Sequence, residues 1–146
     1  MTNAVEQFSA PVAPSDDDID KRIYQRLPRP YPVEVRKLAF PMPSESTRMT
    51  CCDISKGGIC VETPPVDLAV GDVCQVTVLI PLLNKFAPGF FKIYENDAEQ
   101  YFTGLGEILW KKRIGAQELV GFKFVNVHAD QLKALEKLIE SAFAAV

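Results

Sequence analysis

The run Val73-Cys74-Gln75-Val76-Thr77-Val78-Leu79-Ile80 is rich in β-branched residues and carries neither Gly nor Pro. Such side chains are stiff about χ1 and pack best on a pleated surface, so the run predicts a strand central to its sheet. Similar runs recur on both sides of it. Residues 31–40 put Val33 and Val35 on one face and Glu34 and Arg36 on the other, and residues 41–46 form a turn cluster. Residues 47–53 and 59–63 read as hairpin partners joined by the turn at 55–58, and Pro64-Pro65 stops the second of them. Residues 101–112 resume as a strand in which Gly104 and Gly106 mark a bulge or a close backbone approach. Residues 117–125 pair back after Ile114-Gly115-Ala116. Residues 129–145 form the one clear helix, with Leu132, Leu135, Ile139, Ala142 and Phe143 at helical spacing on one face. Six short strands and a terminal helix predict a mainly β fold: a small antiparallel barrel whose open side the helix covers.

The remaining segments set the limits. Residues 1–18 mix Ala, Pro, Ser and Val without periodicity and end in Asp16-Asp17-Asp18, which predicts a disordered acidic tail. Residues 19–146 are then one domain. Pro28, Pro30 and Pro32 forbid a helix in the basic connector before the first strand and favour extended backbone. Residues 81–100 exceed what a strand connection needs and carry Phe86, Phe90, Phe91 and Tyr94. They read as an insertion that either folds back as core or offers an apolar surface to a partner protein.

A net charge of -3 gives no general attraction to nucleic acid or anionic membrane, so any anion site must be local. No apolar run is long enough to span a bilayer, and no secretory signal opens the chain, so a cytoplasmic protein is expected. Cys51, Cys52, Cys60 and Cys74 form no C-x-x-C pair, and His128 is the lone histidine, so no metal site is expected. The four are read as reduced thiols serving as small core hydrophobes, with adjacent Cys51 and Cys52 facing opposite sides of a strand. His128 reads as a helix-start or surface residue. No acid–base constellation accompanies any nucleophile, so no catalysis is expected.

Two short motifs carry the chemistry. Arg22 and Arg26 form an R-x-x-x-R pair, and arginine presents planar donors that match phosphate oxygens or the O6/N7 edge of guanine. Asp53-x-Ser55-x-x-Gly58 offers short polar side chains on a turn and a Gly that lets backbone approach a ligand. Asp53 can accept from guanine N1–H and N2–H₂ or orient one of the arginines. Ser55 can bond a base or a phosphate, or serve the hairpin turn. Gly57 reads as a turn residue.

The order of these pieces resembles the PilZ domain: Arg22-x-x-x-Arg26, a connector, a strand ending in Asp53-x-Ser55-x-x-Gly58, Gly106-x-x-x-Trp110, Gly121-Phe122-x-Phe124, then the helix. The similarity covers roughly residues 20–145. It implies a six-stranded antiparallel Greek-key β-barrel of the split-barrel type with a C-terminal helix, from a bacterial receptor of cyclic di-GMP. It also implies that Arg22 and Arg26 grip phosphate and guanine edges, that Asp53, Ser55 and Gly58 form the second contact, and that Lys21 adds a phosphate contact. Trp110 stands where family members can place an aromatic near the ligand, and reads equally as a core or barrel-rim tryptophan. On this view the ligand orders residues 21–32 across the barrel and alters the surface shown to a protein partner, with no DNA contact and no membrane insertion. The rival reading is a ligand-independent adaptor of the same fold that uses residues 81–100.

Overall fold

Alternation of inward apolar and outward polar side chains builds the wall of the molecule. The computed structural model describes residues 24–43, 45–86 and 100–144. The expected tail, Lys21, Arg22 and the stretch holding Phe90, Phe91 and Tyr94 lie outside the described residues. The strands are β1 (Pro32–Lys37), β2 (Thr47–Ile54), β3 (Gly58–Thr63), β4 (Val73–Leu79), β5 (Tyr101–Ile114) and β6 (Gln117–Val127), followed by helix α1 (Ala129–Ala144). They pair in the order β1-β2-β3-β6-β5-β4, and β4 returns to β1, giving a closed barrel with every pairing antiparallel. Because β4 lies beside β1 and β5, the chain crosses an end of the barrel between β3 and β4.

The interior is filled from all six strands by Val33, Val35, Ile54, Ile59, Val61, Val76, Val78, Phe102, Ile108, Val120 and Phe122, none more than 4% exposed. Each such side chain contributes roughly 1.5–3 kcal/mol of transfer free energy. Phe102 also meets Phe124 with ring centroids 5.3 Å apart at a tilted angle. The expected open side does not exist, because residues 33–37 of β1 pair with 74–78 of β4 and leave no edge between them.

The helix therefore covers an end of the barrel rather than a gap in its wall. Ala134, Leu135 and Ile139 are buried there, and the Leu83–Phe86 3₁₀ turn packs beside it. Gln131 ties the helix to β5 by accepting from the Thr103 amide (2.9 Å) and donating to the Tyr101 carbonyl (3.2 Å). The apolar stripe includes Leu138 in place of Phe143, which is 39% exposed in the last turn. Positions 131, 134, 135, 138, 139 and 142 follow helical spacing and already fill the contact. His128 starts the helix: its Nδ1 accepts from the Asp130 amide, as an N-cap side chain does. In the long connection, Leu83 is buried and Phe86 packs partly against the core.

Strand β5 runs two residues further than the sequence pattern suggests because its hairpin to β6 needs only Gly115 and Ala116, and β6 runs two residues further at its other end, where Val127 pairs with Gly104. Gly115 has a φ of 61°, the left-handed backbone such a tight turn requires.

Candidate functional site

The β2–β3 hairpin is closed by its own serine. The Ser55 amide donates to the Gly58 carbonyl (2.8 Å), while Ser55 Oγ accepts from the Gly57 and Gly58 amides at 3.1 and 3.3 Å. The same hydroxyl lies 3.4 Å from the Gly58 carbonyl as a donor, and Ser55 is 1% exposed. Its hydrogen bonds are thus spent inside the turn, which is the structural of the two roles read from the sequence. Gly58 is buried too. A Cβ there would lie 2.2 Å from the Phe122 carbonyl oxygen of β6, so the glycine lets β3 and β6 approach. The Phe124 amide donates to the Gly57 carbonyl (2.9 Å), which fixes the turn to β6 from the other side.

Against this turn lies the connector. Leu27 exchanges two backbone hydrogen bonds with Ile54 (2.8 and 3.0 Å) and buries its side chain to 2% exposure. The Tyr31 carbonyl accepts from the Cys51 amide at 2.9 Å. With Leu27 turned inward, its neighbour Arg26 lies on the outer face, where Nη1 reaches Asp53 Oδ1 at 3.0 Å. One carboxylate oxygen of Asp53 is engaged this way, which leaves the other for a further donor. These backbone bonds tie residues 27–31 of the connector to β2.

A β-bulge explains what shares this face. Cys51 pairs with Val61 and Asp53 with Cys60, so Cys52 is the extra residue and the alternation shifts by one. Cys51 stays inside, at 2% exposure, while Cys52 and Cys60 are only half-buried and interact with each other through their thiols. Cys51 and Cys74 are core as expected, and Cys51 and Cys52 face opposite sides as expected; Cys60, between buried Ile59 and Val61, alternates outward and is not core. Burial pushes Cys51 up to about 12 and Cys74 up to about 11, and it raises Cys52 and Cys60 as well. Burial thus disfavours the thiolate form at all four.

The register carries the outer face further. Asp53 pairs with Cys60, Cys60 with Gly121, and Gly121 with Trp110, giving one row across β2, β3, β6 and β5. Three strand spacings put the row's ends roughly 14 Å apart. The shear of the barrel brings Trp110, well along β5, level with Asp53 near the end of β2. The indole folds back over Gly121, where a Cβ would lie 2.2 Å from Trp110 Nε1. Trp110 is 36% exposed, an aromatic plate on the outer wall rather than a core side chain.

The sequence reading missed Tyr24 and Lys56. The Tyr24 ring sits over Gly57, and Lys56 Nζ lies 5.7 Å from its centroid and 3.4 Å from Glu136 Oε2 of α1. A small cleft between connector, turn and helix is lined by Tyr24, Gln25, Lys56, Glu136, Ile139 and Glu140. Among the described residues there is no cluster of three or more His, Cys, Asp or Glu able to hold a metal. Nor, among them, is any helix long and apolar enough to cross a membrane.

A closed six-stranded antiparallel barrel with one C-terminal helix is a PilZ-like fold. The chain belongs to the PilZ domain family, whose model matches residues 20–141. PilZ domains are a family of cyclic di-GMP receptors and are typically not catalytic. No curated protein matches the chain in sequence. Among solved structures it is similar to the Bacillus subtilis inhibitor of motility MotI/DgrA, with 14% identity and a TM-score of 0.65 over 85% of this chain and 52% of that one. It is also similar to the PilZ domain of Escherichia coli YcgR with c-di-GMP, with 20% identity and a TM-score of 0.54 over 86% of this chain and 93% of that one. The K. pneumonia MrkH structure in its apo state matches with 14% identity and a TM-score of 0.61, over 86% of this chain and 52% of that one. The chain thus spans about half the length of MotI/DgrA and of MrkH. At these identities the likeness is one of fold.

Proposed function

We propose that this domain is a receptor that binds cyclic di-GMP on the outer face of the barrel at the β2–β3 turn. Arg26, held toward the face by Asp53, and Arg22, four residues upstream, grip phosphate and guanine edges. The second carboxylate oxygen of Asp53 accepts from guanine N1–H or N2–H₂. Ser55 and Gly58 build the turn that presents Asp53, Lys21 adds a phosphate contact, and Trp110 offers a stacking face to a base. Binding alters the surface that a protein partner reads. The observation that carries this reading is the 3.0 Å Arg26–Asp53 pair, set on the outside by the Leu27–Ile54 backbone bridge. Calorimetric titration with cyclic di-GMP tests it: a saturable isotherm with a micromolar or tighter dissociation constant is expected. Absence of heat at ligand concentrations well above micromolar would remove the receptor role.

One observation favours the adaptor as a second reading. Leu38, Phe40 and Met42 between β1 and β2 are 48%, 101% and 41% exposed, at the end of the barrel away from the site. An apolar loop of this kind fits protein contact with or without nucleotide.

A further inference from the structure

Residue 57 does not need to be glycine for its own backbone, since the described glycines with positive φ are Gly71 and Gly115. Nor does the turn crowd it, because Ser55 Oγ is 3.9 Å from a Cβ built at that position. What lies close is Tyr24, whose Cδ2 and Cε2 would stand 2.9 and 3.2 Å from that Cβ. The missing side chain makes room for the ring. Lys56 sets its ammonium 5.7 Å from the ring centroid and meets Glu136 of the helix. Tyr24 lies two residues before Arg26, so the seat fixes the backbone that leads into it.

We propose that Tyr24 is a positioning residue, whose ring seated on Gly57 holds the arginine-bearing connector against the turn before ligand arrives. The consequence for ligand rests on the cyclic di-GMP reading above; the seat itself does not. A connector rich in proline and outside any regular element would otherwise sample many arrangements, and the apparent affinity falls by the fraction of molecules that are competent. The phenol hydroxyl has no role in this seat, so phenylalanine serves as well as tyrosine. The alanine Cβ in Gly57→Ala displaces the ring without straining the backbone, which makes it an independent way of undoing the same contact.

The test uses the full chain in two readouts. In nucleotide-free protein, limited trypsin digestion after Arg26 is expected to run about tenfold faster in Tyr24→Ala and in Gly57→Ala, and as in wild type in Tyr24→Phe. The Tyr24→Ala/Gly57→Ala double variant should be cut no faster than Tyr24→Ala alone, because both remove one contact. Cyclic di-GMP affinity, by calorimetry, should fall about five- to tenfold in each alanine variant and less than twofold in Tyr24→Phe. Unchanged cleavage in Tyr24→Ala, additive effects in the double variant, or unchanged affinity beside a wild type that binds would each overturn the proposal. If the wild type binds no nucleotide, the receptor reading fails, and digestion alone decides whether Tyr24 holds the connector.

Discussion

Arg26→Ala should weaken cyclic di-GMP binding by about 30-fold or more, ~2 kcal/mol, while leaving the barrel folded. The loss follows from removing charge-assisted, forked hydrogen bonds to an anion, each worth about 1.5–3 kcal/mol. The fold survives because the Arg26–Asp53 pair is partly exposed, at 22% and 31% side-chain accessibility, and such pairs contribute at most about 1 kcal/mol. The neighbouring anchor is apolar and remains: Leu27 keeps its backbone bridge to Ile54 and its burial. Calorimetry for affinity and a denaturant melt for stability separate the two effects. Near-wild-type affinity would mean that Arg26 serves only Asp53.

Gly58→Ala should act in the opposite way, by breaking the fold. The added methyl meets a backbone carbonyl, Phe122 O at 2.2 Å, and backbone in a closed barrel cannot step aside as a side-chain tip does. Overpacking of this kind costs about 2–3 kcal/mol, lowering the melting temperature by roughly 8–10 °C in a domain of this size. The variant thus separates what the motif glycine does for packing from what it does for a ligand. A melting temperature within a degree or two of wild type would show that β3 and β6 have room to spare.

How much could be read in the sequence depended on whether the controlling contacts were local. Period-two alternation marked every strand, and helical spacing marked α1, because each reports one element's own inward face. Barrel closure was not visible in any single run, since it depends on the pairing of β1 with β4 across the intervening chain. The single-residue bulge at Cys52 likewise leaves no compositional trace, yet it decides that Asp53 shares the outer wall with Cys52 and Cys60. The two site motifs were legible as residue types, and their division of labour was not. Asp53 and Arg26 meet in space, whereas Ser55 and Gly58 are consumed by the turn. Tyr24 gave no signal because its meaning lies in the absent side chain at Gly57, and that pairing shows only when connector and turn are placed together. Trp110 read equally as core, rim or ligand contact, and its place level with Asp53, with its indole over Gly121, shows only in the register.

That row of residues carries the central claim, that ligand binds the outer wall beside the β2–β3 turn. Nuclear magnetic resonance of ¹⁵N-labelled protein during titration with cyclic di-GMP tests it most directly. Saturable shifts should concentrate at the amides of Gly57, Cys60 and Gly121 and at the Trp110 indole N–H, with Gly115 in the β5–β6 turn unmoved. Shifts centred on Gly115 and the Phe40 loop, or a spectrum that does not change at all, would contradict it.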